Sequence, residues 1–68
     1  MGEKVYKKIR VVGCSTESYE KAIEAAVAKA AETVDGLAWF EVVEHRGAIA
    51  HGGVAEYQAT VDIAFKVN

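Results

Sequence analysis

The 68-residue chain contains no proline and only one cysteine, Cys14. One cysteine cannot form an intrachain disulfide, and together with His45 and His51 it matches no structural zinc spacing. A domain of this size buries only about 60% of the surface that its unfolded chain exposes, so it usually needs a further source of stability. Since 51% of the residues are hydrophobic, we expect that stability to come from self-association.

The chain also lacks an excess of positive charge and any long apolar run. The net charge is -2, and the basic residues gather only loosely in residues 4–10. We therefore expect no nucleic-acid partner, because phosphate backbones are bound by dense positive charge. No apolar stretch reaches the roughly 18 residues of a membrane-spanning helix, so no membrane partner is expected. An unpaired cysteine is typical of a reducing compartment, which predicts a cytoplasmic location.

Hydrophobic periodicity predicts the order strand, helix, strand, strand. The first strand covers residues 5–12, where β-branched residues are frequent, and Gly13 is expected to end it. Two longer strands, residues 37–50 and 54–67, flank a Gly52-Gly53 pair that suits a tight hairpin turn. We predict an α+β fold of one domain, β-α-β-β, with the helix packed on one face of a three-stranded antiparallel sheet.

The helix is predicted between a group of hydroxyl-bearing residues and a glycine. Ser15, Thr16 and Ser18 are three candidate N-caps. Gly36 is the expected end, because glycine readily adopts the left-handed conformation that follows many helices. Apolar residues recur between them at intervals of three and four, which places them on one helical face. That face consists of Tyr19, Ile23, Ala26, Val27, Ala30 and Val34.

Successive strand residues point to opposite faces of a sheet, so each strand divides into two rows. In residues 54–67 the odd-numbered positions are apolar and are expected to cover the helix, whereas most even-numbered positions are polar. In the preceding strand, Phe40 and Val42 are the natural helix-facing pair. The same count places Arg46 on their side. The residues that point away from the helix are then Trp39, Glu41, Val43 and His45.

Trp39 has the largest side chain of the protein, and this count places it on the face that does not hold the core. Three roles fit such a residue. It could anchor an interface, since tryptophan is enriched at contact hot spots. It could form a platform for a flat aromatic ligand, or it could be a core residue whose direction a bulge has changed. Periodicity alone does not choose among these roles.

Several short segments stand in a recognisable order along the chain. They are Val-Tyr-Lys-Lys at 5–8, Val-Gly-Cys-Ser-Thr at 12–16, Trp-Phe-Glu-Val-Val-Glu-His-Arg-Gly at 39–47 and Ala-Glu-Tyr-Gln at 55–58. Together they resemble the dodecin family over nearly the whole chain. The resemblance implies a single dodecin domain over residues 1–68, whose sheet wraps around the helix and which assembles into a hollow homododecamer. It also implies that flavins bind in pairs at twofold interfaces.

The resemblance assigns a role to four residues. Trp39 matches the tryptophan that lies against the isoalloxazine ring, and Gln58 matches a glutamine that hydrogen-bonds the polar edge of that ring. An indole supplies stacking, and an amide offers both a donor and an acceptor. Arg46 is the first candidate to bind the phosphate of FMN, and Lys66 is the second. A surface ion pair with a neighbouring glutamate is the alternative role for Arg46.

The implied function is the storage and sequestration of FMN or riboflavin, with photoprotective quenching by Trp39. We expect that the protein is not an enzyme, because its acidic and histidine residues do not have the spacing of a catalytic site. Cys14 stands where threonine is usual in the family, and no histidine or second cysteine lies near it in sequence. Neither catalytic residues nor a metal site are therefore expected. A coenzyme-A-binding or scaffold assembly is the alternative function, and a flavin-dependent oxidoreductase would need an open ring face.

Overall fold

The computed structural model describes residues 2–68, which form three strands and one helix. Met1, which the predicted domain includes, lies outside the described residues. The elements are β1 (Tyr6–Ser15), α1 (Tyr19–Ala31), β2 (Leu37–Ala50) and β3 (Gly53–Lys66). The strands form one antiparallel sheet in the order β1-β3-β2, so that β3 is the central strand. The predicted β-α-β-β fold of the α+β class is confirmed.

β1 continues through Gly13 to Ser15, so the prediction that this glycine ends the strand was wrong. A Cβ atom at residue 13 would overlap the carbonyl oxygen of Ala22 and would lie 3.0 Å from the Cβ atom of Ala26. Glycine occurs inside a strand where another backbone approaches closely. The absence of a side chain at Gly13 therefore lets α1 rest directly on β1.

Of the three candidate caps, Ser18 begins the helix, and its hydroxyl accepts a hydrogen bond from the Lys21 amide at 3.0 Å. The helix ends at Ala31, before the predicted stop at Gly36. Gly36 does have a positive φ of 74°, but its carbonyl accepts from the Lys66 amide at 3.0 Å. It therefore joins the loop to the sheet. At 13 residues, the one helix within residues 2–68 is too short to cross a bilayer.

The helix packs on β1 and β3 through a row of alanines and leaves β2 largely uncovered. Ala26 and Ala30 contact Val61 and Ile63, which are the largest fully buried side chains. By contrast, Phe40 on β2 remains 48% exposed. The described residues extend over 56 × 20 × 13 Å with a radius of gyration of 14.2 Å. A compact domain of this length would have about 11 Å, so the single chain is an open, elongated body.

A β-bulge interrupts the pairing of β2 with β3. Val42 lies opposite Val61, but Glu44 lies opposite Thr60, so that Val43 is an extra residue on β2. A bulge of this kind reverses the alternation of side chains beyond it. Before the bulge the predicted rows hold, because Phe40 and Val42 share the helix-covered face with Ile63 and Val61. From Glu44 to Ala48 the predicted rows are reversed, and the pairing shifts again between Ala48 and Ile49.

Two predicted orientations therefore require correction. His45 lies opposite Ala59, on the helix-covered face, and its ring stacks on that of Tyr19 with centroids 4.4 Å apart. Arg46 lies opposite Gln58, so its backbone position belongs to the other face. Counting alternate residues failed for both, because a bulge is a feature of pairing between strands and leaves no periodic signal in one strand.

The hairpin between β2 and β3 turns through His51 and Gly52, one residue earlier than predicted. Ala50 is paired with Gly53, and φ is 54° at His51 and 78° at Gly52. Positive φ at both central residues is the conformation that a two-residue hairpin turn uses to match strand twist. Gly53 is already the first residue of β3.

Candidate functional site

The face of the sheet opposite the helix, here called the outer face, carries all four residues predicted to bind a ligand. Trp39 lies opposite Ala64, and Arg46 lies opposite Gln58. Gln58, Ala64 and Lys66 are even-numbered positions of β3, whereas Val61 and Ile63, which pack against the helix, are odd-numbered. Trp39 and Gln58 thus share a face, as the strand rows predicted. Arg46 joins them because of the bulge.

The first group on the outer face, called here the tryptophan cluster, comprises Tyr6, Lys8, Trp39 and Glu41. The Trp39 Nε1–H donates a hydrogen bond to Glu41 Oε2 at 2.9 Å, and Lys8 Nζ lies 3.0 Å from both carboxylate oxygens of Glu41. The Tyr6 and Trp39 rings lie 4.8 Å apart between centroids, tilted by 57°. Ala64, which lies between the two edge strands, is fully buried. Trp39 itself stays 45% exposed.

The ionic contacts of this region stabilise two carboxylates. Hydrogen bonds from Trp39 and Lys8 lower the pKa of Glu41. The hydrogen bond from Arg10 lowers the pKa of Asp62, and the same pair raises the pKa of Arg10. The Arg10–Asp62 pair is bidentate, with distances of 2.7 and 3.0 Å. Both carboxylates are therefore ionised at neutral pH, and a positively charged partner from β1 neutralises each of them.

The second group on the outer face, called here the glutamine cluster, comprises Arg46, Glu56 and Gln58. Arg46 Nε donates to Gln58 Oε1 at 2.7 Å, and Gln58 Nε2 donates to Glu56 Oε1 at 2.8 Å. An amide oxygen has two lone pairs and an amide nitrogen two hydrogens, so one acceptor and one donor position of Gln58 are left. Within residues 2–68, Arg46 forms no ion pair, and its side-chain hydrogen bond to Gln58 is made through Nε.

The two clusters are far apart within one chain. Trp39 lies opposite Ala64 and Arg46 lies opposite Gln58, and these two positions of β3 are separated by six residues. At roughly 3.3 Å per strand residue, the separation is about 20 Å. Lys66 is at the tryptophan end of this row, beside Tyr6. One small ligand therefore cannot touch both Trp39 and Gln58 of the same copy.

Sequence reasoning missed three members of the tryptophan cluster. Strand alternation had already placed Glu41 on the same face as Trp39, two residues along the strand, but no role in the site was assigned to it. Tyr6 and Lys8 carry no such signal. They reach Trp39 and Glu41 only because β1 and β2 flank β3 in a particular register, and spacing along the chain does not contain that register.

Neither cluster resembles a metal site. Among residues 2–68, no group of three or more histidine, cysteine, aspartate or glutamate side chains lies close enough together to hold a metal ion. The outer face is instead built from aromatic rings, an amide and paired charges, with its tryptophan partly exposed.

Residues 5–68 match the family model described as Dodecin. The chain belongs to the dodecin family. It is 50% identical over 64 residues to a dodecin of Thermus thermophilus, covering 94% of this chain and 93% of that one. The structure of a dodecin from Streptomyces coelicolor has 35% identity and a TM-score of 0.95, covering 100% of this chain and 97% of that one. The resemblance seen in the sequence is thereby confirmed.

A second branch of the dodecin family is also similar to this chain. A calcium dodecin of Mycobacterium tuberculosis is 33% identical over 63 residues, covering 93% of this chain and 89% of that protein. Dodecins are small oligomeric proteins that bind or store ligands, and the family is known for flavin binding. Family membership therefore places this chain in a class of binding proteins. The identity of its ligand must be argued from its own residues.

Proposed function

We propose that this protein binds FMN or riboflavin against Trp39 in a hollow homododecamer, and that it stores and sequesters the flavin. The observation that carries the proposal is the state of Trp39. Its indole N–H donates a hydrogen bond to Glu41, and 45% of the residue is exposed on the face of the sheet that no helix covers. A large, ordered and partly exposed aromatic ring is what a flat aromatic ligand needs for stacking.

Self-assembly is supported by the apolar surface that one chain leaves open. Phe40 and Val42 on β2 are 48% and 43% exposed, and Ile49 and Val54 near the hairpin turn are 80% and 60% exposed. Soluble monomers rarely expose contiguous apolar surface on this scale. The fully buried side chains are no larger than Ile63, so the single chain also has a small core. Burial between copies would remedy both deficiencies.

The separation of the two clusters indicates a site shared between copies. Trp39 and Gln58 of one chain stand about 20 Å apart along β3, which exceeds the reach of one isoalloxazine ring. In a twofold arrangement of outer faces, Trp39 of one copy would meet Gln58 of another across the ring. The free donor and acceptor of the Gln58 amide suit the imide edge of a flavin, which has an N–H between two carbonyl groups.

The phosphate of FMN would be bound by Arg46, with Lys66 as the second candidate. The bond from Arg46 Nε to Gln58 fixes the guanidinium beside the amide proposed to read the ring. Its Nη groups can then donate a pair of hydrogen bonds to phosphate. Lys66 lies beside Tyr6, next to the tryptophan cluster, at the opposite end of the outer face from Arg46. There it would attract a phosphate as a single positive charge.

The proposed benefit is protection from flavin photochemistry, with no reaction catalysed. When a flavin is stacked on it, Trp39 donates an electron to the light-excited ring and then recovers it, so the excitation ends without emission. The paired arrangement would cover both faces of the ring and so prevent hydride transfer. We accordingly propose a non-enzymatic protein located in the cytoplasm.

Titration of the ligand-free protein into riboflavin and into FMN, followed by flavin fluorescence, tests the proposal. We expect strong quenching that saturates near one flavin per chain, and the ligand with the lower Kd would be the preferred cargo. Absence of quenching with either flavin would overturn the flavin function and favour a coenzyme-A-binding or scaffold assembly.

Native mass spectrometry tests the assembly separately. We expect a particle of about twelve times the chain mass of 7.3 kDa. A stable monomer or dimer would contradict the homododecamer, whatever the flavin titration shows.

A further inference from the structure

We propose that Glu41 is a positioning residue for Trp39, whose carboxylate, anchored by Lys8, holds the indole in one orientation on the outer face. This inference rests on the proposed flavin function, because it identifies what prepares the stacking platform. Glu41 does not need to touch the ligand, and its role is to order Trp39 before a flavin arrives.

The hydrogen bond from Trp39 to Glu41 fixes the plane of the indole. The ring has one N–H, and its direction is set by the acceptor that it reaches, here Glu41 Oε2 at 2.9 Å. A half-exposed tryptophan without such a partner can rotate about its Cβ–Cγ bond, because torsions of this type have broad minima. A flavin that stacks on a mobile ring would have to order it, at the expense of binding free energy.

Lys8 holds the carboxylate that holds the indole. Its Nζ lies 3.0 Å from each oxygen of Glu41, so the contact spans from β1 to β2 over the central strand. Asp62 of β3 is the nearby charge that would repel Glu41. Arg10 neutralises it through a bidentate pair at 2.7 and 3.0 Å. The repulsion that Asp62 exerts on Glu41 is thus weakened, and the carboxylate keeps its charge at neutral pH.

Tyr6 supports the indole from a different direction. Its ring centroid lies 4.8 Å from that of Trp39, with a tilt of 57°. Pairs with this separation and tilt are favourable contacts between aromatic rings. The indole is therefore restrained at its N–H by Glu41 and at its ring by Tyr6, which together leave one preferred orientation.

The single tryptophan makes a direct test possible, because the protein has only one indole N–H signal in a proton–nitrogen correlation spectrum. We expect Glu41→Ala to move this signal towards that of a free indole and to speed its exchange with water. We expect the same variant to bind riboflavin about tenfold more weakly, the size of effect that follows loss of a hydrogen bond to a charged group. Glu41→Gln keeps an acceptor oxygen, so it should restore most of both properties.

Glu32→Ala is the matched control, because Glu32 is also an exposed glutamate that pairs with a lysine, Lys29, but it lies at the end of α1, on the opposite face of the sheet from Trp39. It should change neither the indole signal nor the affinity. Native sizing of each variant confirms that assembly is intact. An unchanged indole signal in Glu41→Ala would overturn the proposal, and so would a changed signal with unchanged affinity. Failure of the wild-type protein to bind flavin would instead overturn the proposed function. The indole signal would still show whether Trp39 donates a hydrogen bond to Glu41.

Discussion

The two faces of this sheet are held together in different ways. On the helix-covered face, Ala26 and Ala30 pack closely on Val61 and Ile63, without a buried polar group among residues 2–68. On the outer face, order comes from hydrogen bonds and ion pairs, while Trp39 stays partly exposed. The same strand β3 contributes alternate residues to both.

The contrast indicates a division of roles between the faces. A close fit between a helix and a sheet tolerates almost no added volume, because protein interiors are packed as densely as organic crystals. Solvent-exposed ion pairs contribute little to stability, typically below about 1 kcal/mol. Substitutions on the helix-covered face should therefore affect folding, whereas those on the outer face should affect ligand binding and leave the assembly intact.

The strongest test of this contrast is Gly13→Ala. The added methyl group would overlap the carbonyl of Ala22, so we expect a loss of at least about 3 kcal/mol of unfolding free energy, or failure to fold. Gly53→Ala is the matched control, because a Cβ atom there would have nothing within 4 Å. Urea unfolding followed by circular dichroism, at one fixed protein concentration, measures both. Equal stability of the two variants would mean that the helix does not rest on β1 as described.

Trp39→Ala tests the other face. Stacking of an aromatic ring on a flat heterocycle is worth roughly 1–3 kcal/mol, so we expect flavin affinity to fall by about thirtyfold while the assembly persists. Trp39→Phe retains a ring and should lose less. Flavin fluorescence titration gives the affinities, and native mass spectrometry checks the assembly. If Trp39→Ala binds flavin as the wild type does, Trp39 is not part of the site.

Arg46→Ala sharpens the comparison within the outer face. Loss of hydrogen bonds to a charged phosphate should weaken FMN binding by about tenfold, with a much smaller effect on riboflavin, which has no phosphate. Lys66→Ala, at the other end of the face, shows whether the second candidate contributes. Isothermal titration with both flavins distinguishes the cases. Equal losses for FMN and riboflavin in Arg46→Ala would limit the role of the arginine to holding Gln58.

Acid should produce the smallest effect that can be traced to the outer face, through the Arg10–Asp62 pair. The pKa of Asp62 is lower in the folded protein than its ordinary value, because Arg10 donates to it. Its contribution to stability is therefore complete above the ordinary aspartate pKa of about 4 and is lost as pH falls through the lower pKa of the folded state. Asp62→Asn should show a smaller decrease in Tm between neutral pH and about pH 3. An identical decrease would show that the pair does not contribute.

The prediction of the fold from sequence succeeded where one local pattern decided the outcome. The helical spacing from Tyr19 onward and the alternation in residues 54–67 each reflect one buried face, and both elements formed as expected. Local signals also misled, since Gly13 was taken for a strand end and Gly36 for a helix end. Each glycine serves a contact that is distant in sequence, to the backbone of Ala22 or of Lys66. Glycine alone does not reveal which of its uses applies.

The sequence by itself determined the element order, the family, and the presence of Trp39 and Gln58 on one face, because these depend on periodicity and on short segments. Only the tertiary structure decided the direction of Arg46, the partners of Trp39 and the distance of about 20 Å between the two clusters. The physical reason is that these features depend on how β3 pairs with its two neighbours. Register and bulges are set by contacts between strands, and no single strand encodes them.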